Sequence, residues 1–208
     1  DRRPLPVRSL VGLIPLLAVE TFQSEDFESL DGFQQRLRWF MNNRRDLARH
    51  IAFMQCNEQQ ENNCFLLALP SRDRLKRVLQ YLLDPDEFLS PFGIRSLSKF
   101  HEQNPVSIEV DGETHSISYE PGESTSEMFG GNSNWRGPVW WPINWLIVES
   151  LHRYDHYYGD TFLIPCPDTG KDITLKQAAD TIEHRLLRQF LPDADGQRPS
   201  MAGHRFSN

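Results

Sequence analysis

Between Pro138 and Tyr158 the chain reads PVWWPINWLIVESLHRYDHYY, and two apolar stripes run along it. Trp140, Ile143, Ile147, Leu151 and Tyr154 recur at three- and four-residue steps and share one face of an α-helix. Trp141, Trp145 and Val148 share a second face. One apolar stripe lets a helix lie on a surface, whereas two require neighbours on both sides. The spacing predicts a helix over 138–158, with Pro138 in its first turn, where a missing N–H costs nothing, and Gly159 as its stop. Trp141 and Trp145, one turn apart, are expected in the core. The fold must therefore pack other elements against both faces of this helix.

The rest of the chain supplies candidates. Val7 to Glu20 is apolar around much of a helical circumference, with Pro15 expected to kink it. From Asp26 to Met54, Leu30, Phe33, Leu37, Phe40 and Met41 recur at helical spacing, and Asn42-Asn43 divides the segment. Ser71 is placed to cap a helix striped by Leu75, Val78, Leu79 and Leu82, which ends before Asp84-Pro85. Thr174 and Gln177 form a capping box for a last helix reaching Phe190, with Ile182, Leu186 and Leu187 inward. Between Pro85 and Gly137 the helical pattern lapses. There VSIEVDGETHSISY alternates about Asp111-Gly112 as a β-hairpin does, flanked by long polar loops of the kind that carry binding sites. Five or six helices and one hairpin predict an all-α fold.

Composition excludes several function classes. With 38% hydrophobic and 25% charged residues in 208 and a net charge of −7, the chain is globular and lacks the basic surface that nucleic acid would need. No apolar run reaches the ~20 residues of a spanning helix, so no membrane span is expected. Cys56, Cys64 and Cys166 give neither a paired framework nor a metal-type spacing, which fits a reducing compartment such as the cytoplasm. Neither the start at Asp1 nor the end at MAGHRFSN reads as a domain boundary, and the chain is expected to be truncated at both ends.

The segment GGNSNWRGPVWW, residues 130–141, mixes indoles with small and planar polar residues. Sugars present C–H faces and a hydroxyl rim, so a site for them combines an aromatic floor with amide and guanidinium donors. Trp135 is placed to stack on a sugar ring, with Asn132, Asn134 and Arg136 bonding its hydroxyls. Arg95, in SPFGIRSLS, is either an exposed or salt-bridged arginine or a second donor into the same pocket. Asp86, Glu87, Glu120, Glu123 and Glu127 are loop carboxylates that could act as acid or base, Glu127 lying nearest the glycines. His152 and His156 have a zinc-compatible spacing, but Arg153 stands where a metalloprotease has Glu, and helix-end capping is the simpler role. No G-x-S-x-G or phosphate-loop motif is present. Neither metal nor cofactor is expected.

These residues carry a resemblance. MFGGNSNWRGPVWWPINWLIVESLHRYDHYYGD resembles the Trp-Arg-Gly-Pro-x-Trp segment of glycoside hydrolase family sixty-three, the mannosyl-oligosaccharide glucosidase family, whose bacterial relatives include mannosylglycerate and glucosylglycerate hydrolases. VRSLVGLIPLLAVE and LSPFGIRSLSKF are similar to further stretches of it. The resemblance implies that residues 1–208 are part of an (α/α)6 toroid with a small hairpin insertion and long funnel-side loops. It implies inverting hydrolysis of an α-glucosidic or α-mannosidic bond by an Asp acid and a Glu base ~6.5–9.5 Å apart. By the family's pattern the acid would precede Asp1 and the base would follow Asn208, so the catalytic pair is expected outside the chain. What carries over is a substrate-binding wall of Asn134, Trp135, Arg136, Gly137, Trp140 and Arg95. The expected partners are an oligosaccharide or small glycoside and the remainder of the catalytic domain. The competing expectation is a non-catalytic helical carbohydrate-binding or scaffolding module.

Overall fold

Pro15 stands inside the first apolar run, where it removes an N–H that an α-helix would use. Leu10–Leu17 accordingly winds as a 3-10 helix, whose three-residue turn stacks Leu10, Leu13 and Leu16 on one buried edge. This computed structural model describes residues 4–49, 51–55, 64–125, 127 and 134–201.

The chain then leaves helix altogether. Strand β1 (Val19–Gln23) pairs antiparallel with β3 (Cys64–Ala68), which also pairs antiparallel with β2 (Ala52–Gln55), giving the order β1-β3-β2. Val19 faces Ala68 across one ladder, and Ala52 faces the same Ala68 across the other. The all-α expectation, and with it the toroid, is thereby corrected: the described residues form a mixed α/β structure with four small antiparallel sheets. The cause lies in short apolar runs. A piece such as CFLLA is too brief for periodicity to separate strand from buried helix, and pairing on both edges decides for strand.

The predicted helix over 26–54 is likewise divided. It comprises α1 (Ser24–Ser29), α2 (Asp31–Asn43) and α3 (Arg45–Ala48), with β2 at its end. Leu30 and Arg44 leave helical geometry, at ψ 59° and 51°, and make the breaks. Helix α4 (Arg72–Leu82) buries Leu75, Leu79 and Leu82; Ser71 holds the N-cap conformation without a side-chain bond to the helix. A two-residue hairpin follows, β4 (Leu89–Ser90) with β5 (Gly93–Ile94). The hairpin expected about Asp111-Gly112 is β6 (Val106–Val110) with β7 (Glu113–Ile117); both turn residues have positive φ, 51° and 84°, as the right-handed twist of paired strands demands.

Helix α5 spans Trp141–Tyr158, so Pro142, not Pro138, occupies its first turn. Gly159, at φ 51°, ends it. Its first stripe is buried at Ile147, Leu151 and Tyr154, against Leu10, Leu16, Val19 and Leu66 in a continuous core. Its second stripe is buried only at Val148: Trp145 is 55% exposed, contrary to the core position expected of it. Two small strands, β8 (Ile164–Cys166) and β9 (Lys171–Ile173), lead to α6 (Leu175–Arg188), opened by the Thr174–Gln177 capping box. Helix α6 packs along α5 through Ala178, Ala179, Ile182 and Leu186, whereas Leu187 points out at 53% exposure. No helix among the described residues is long and apolar enough to cross a membrane.

Candidate functional site

Asn144, fully buried on the first turn of α5, fixes where the preceding loop runs. Its Oδ1 accepts from the Ile94 N–H at 2.7 Å, and its Nδ2 donates to the Ile94 and Trp140 carbonyls at 3.0 and 2.9 Å. The loop is then laced along residues 95–96. Arg95 bridges Val139, the Ser96 N–H donates to the Pro138 carbonyl at 3.0 Å, and the Gly137 N–H donates to Ser96 Oγ at 3.0 Å.

Gly137 has φ +150°, and a β-carbon there would lie 2.7 Å from the Tyr119 ring and 3.0 Å from Pro121 Cα. Only glycine lets the loop reach that ring. Tyr119 in turn takes a hydrogen bond from Arg95 Nε at 3.0 Å, while Arg95 Nη1 donates to the carbonyls of Pro85 and Glu87 at 2.9 and 3.3 Å. Arg95 is therefore neither exposed nor salt-bridged through these atoms; it is buried and tied to Tyr119 and the backbone.

Asn134 organises the near side. Its Oδ1 accepts from the Arg136 N–H at 2.8 Å, its Nδ2 donates to the Glu120 and Gly122 carbonyls at 2.9 and 2.7 Å, and its carbonyl accepts from Trp140 Nε1 at 3.0 Å. With Trp140 so anchored, the Trp135 ring stacks on it, centroids 4.8 Å apart and planes within 9°. Trp135 also borders a groove of about 420 Å³ shared with Leu5, Val7, Ser9, Val11, Leu97 and Ile117.

Arg136 is 1% exposed. Its Nη2 pairs with Glu120 Oε2 at 2.5 Å and donates to Ser124 Oγ at 2.8 Å, while Nε has no partner among the described residues. Burial pushes the Glu120 carboxyl upward. Hydrogen bonds from the Thr125 N–H and the Ser118 and Thr125 hydroxyls, with the Arg136 charge, outweigh it and hold the carboxyl below its ordinary range. Glu87 is also enclosed, accepting from Ser98 Oγ at 2.5 Å and pairing with Arg8. Both enclosed carboxylates are thus committed to protein donors, while Asp86, Glu123 and Glu127 are exposed.

The structure gathers Arg95, Asn134, Trp135, Arg136, Gly137 and Trp140 into one assembly; Asn132 lies outside the described residues. His152 and His156 contact Glu183 and Gln23 at 3.4 and 3.2 Å. Among the described residues no three His, Cys, Asp or Glu side chains come together as metal ligands. Sequence reasoning missed Tyr119 and Ser96, and it considered Glu120 only as an acid or base. The available signal was the position of Tyr119 and Glu120 at the hairpin's exit, where strand alternation ends.

Residues 28–191 match the family described as the mannosylglycerate hydrolase MGH1-like glycoside hydrolase domain. The chain belongs to this glycoside hydrolase family. The MGH1-like match takes in the whole 134–140 loop and Arg95. A Saccharomyces cerevisiae protein described as uncharacterized is 46% identical over 196 residues, which is 93% of this chain and 18% of that protein. The "Probable mannosyl-oligosaccharide glucosidase" of Schizosaccharomyces pombe is 35% identical over 81 residues, 38% of this chain and 7% of the relative. The MGH1-like chain therefore spans less than a fifth of the length of these relatives. No solved structure matches it.

Proposed function

We propose that this chain forms one wall of the sugar site in a glycosidase that hydrolyses α-glucosidic or α-mannosidic bonds with inversion. The observation that carries the reading is the stacked Trp135–Trp140 pair, locked by Asn134 on the Trp-Arg-Gly-Pro-x-Trp loop of a glycoside hydrolase domain. Parallel stacked indoles present a rigid outer apolar face, the surface that a sugar's C–H face fits. In this reading Trp135 touches the sugar with Trp140 stacked beneath it, and buried Arg136 braces the wall from behind. Asn134, Gly137 and Arg95 line and hold the wall. The acid Asp and base Glu come from parts of the enzyme outside this chain, in keeping with the committed state of Glu87 and Glu120.

That committed state also favours the competing reading, a carbohydrate-binding module without catalysis. One experiment separates them: full-length protein is incubated with aryl α-glucosides, aryl α-mannosides and glycosylglycerates while NMR follows the released sugar. Inverting catalysis releases the β-anomer first. Initial release of the α-anomer rejects the mechanism, and sugar binding without any release selects the module.

A further inference from the structure

Glu120 grips the 134–136 segment with three separate groups. Its N–H donates to the Arg136 carbonyl at 2.5 Å, its carbonyl accepts from Asn134 Nδ2 at 2.9 Å, and its carboxylate pairs with Arg136 Nη2 at 2.5 Å. The first two contacts belong to the backbone and would persist in any residue at 120. The third is specific to glutamate.

The carboxylate is saturated. Oε1 accepts from Ser118 Oγ and Thr125 Oγ1, each at 2.9 Å, and Oε2 accepts from the Thr125 N–H at 3.0 Å besides Arg136. Four donors fill its four lone-pair sites, which leaves no acceptor free to activate water. What it supplies is a fixed negative charge against a guanidinium sealed from solvent. A buried guanidinium deprived of its counter-charge is poorly tolerated and moves toward water. The Arg136 main chain is tied to the platform, because its N–H is held by Asn134 Oδ1 and the Asn134 carbonyl holds the Trp140 indole under Trp135, so a displaced guanidinium that shifts its own backbone shifts the indoles.

We propose that Glu120 is a positioning residue for the sugar wall: its charge fixes Arg136, and through Asn134 it sets the angle of the Trp135–Trp140 platform. The inference rests on the reading of that platform as a sugar-binding surface. It assigns Nη2 of Arg136 to the protein and makes the arginine a buried brace behind the platform.

The test uses full-length protein and two readouts: steady-state kinetics on the aryl α-glycoside that it turns over best, and circular dichroism of the exciton couplet from the stacked indoles. Glu120→Gln keeps the shape and removes the charge. It should raise KM about tenfold, the scale of one charged hydrogen bond, change kcat little and weaken the couplet. Ser118→Ala removes a donor to Oε1 without touching Arg136; it should lower thermal stability slightly and leave KM and the couplet in place. If Glu120→Gln lowers stability but leaves both KM and the couplet as in wild type, Glu120 is only a structural residue and the proposal is overturned. If Glu120→Gln weakens the couplet while Trp135→Ala leaves KM unaltered, Glu120 positions the indoles as inferred and the sugar reading of the platform has failed instead. Should Glu120→Gln not fold, Glu120→Asp, which draws the charge back from Arg136 by one methylene, takes its place with the same expected outcomes.

Discussion

Tyr119 lies against Gly137 so closely that a β-carbon at 137 would sit 2.7 Å from its ring. In the same contact Tyr119 holds Arg95 by a 3.0 Å hydrogen bond, so one aromatic ring joins two loops distant in sequence. Gly137→Ala must either push that ring away or leave its φ of +150°, a region costing about 1–3 kcal/mol for a residue with a side chain. The expected result is a loss of at least that size in urea unfolding. Tyr119→Leu, by removing the ring's outer carbons and hydroxyl, should reduce the penalty that the alanine adds. Strictly additive losses in the double variant would refute the steric account.

Trp135→Ala removes the outer member of the stacked pair. Substrate affinity should fall by about 1–3 kcal/mol, the scale for a planar ligand losing its aromatic platform on nucleic-acid-binding proteins. Thermal stability should change far less, because Trp135 is only partly buried. Titration of tryptophan fluorescence with the substrate measures the first effect and thermal unfolding the second. Unchanged affinity would remove Trp135 from the site.

Trp145 and Asn144 are neighbours in sequence with opposite expected costs. Trp145 is 55% exposed, so Trp145→Ala should fall within about 0.5 kcal/mol of wild type, as surface substitutions generally do. Asn144→Ala strands the Ile94 N–H and carbonyl inside the core, and each buried unsatisfied group costs about 1–3 kcal/mol. Chemical denaturation of the two variants checks the ordering; a larger loss at Trp145 would mean that its indole is covered in the whole protein.

That contrast shows where sequence reading succeeded and where it stopped. Helix ends written in side-chain chemistry were legible: the Thr174–Gln177 box and the stop at Gly159 stand where the residues place them. So was the Asp111-Gly112 turn, since few residues accept positive φ twice in succession. The three-stranded sheet was not legible, because Val19–Gln23 and Cys64–Ala68 acquire strand geometry from each other across a long separation. Burial was misjudged at Trp145 and Leu187 for a related reason: periodicity says which residues share a face, not whether anything covers it. At the candidate site, the loop 134–140 announced itself through its composition. Its support did not, because Tyr119, Glu120 and Ser96 are ordinary residues until the fold brings them against Arg95, Arg136 and Gly137.

Tyr154 supplies a prediction on pH. Its hydroxyl is buried and donates to the Leu16 carbonyl at 3.3 Å; burial, with the nearby Tyr158, pushes its phenol well above the ordinary value of 10.0. A group whose folded pKa lies above its unfolded one adds stability that is complete below the unfolded value and is lost as pH climbs toward the folded one. The protein should therefore hold constant stability with respect to this group up to about pH 10, and lose it steadily above, as unfolded chains shed a proton that folded ones retain. Tyr154→Phe removes the ionisable group and the hydrogen bond together. At neutral pH it should cost about 0.5–1.5 kcal/mol, and above pH 10 that deficit should shrink, because the variant has no phenol left to ionise at this position. Urea midpoints of the two proteins measured from neutral to strongly alkaline pH give the comparison. A deficit that stays constant or widens with rising pH would show that the Tyr154 phenol ionises as easily in the folded protein as in the unfolded chain.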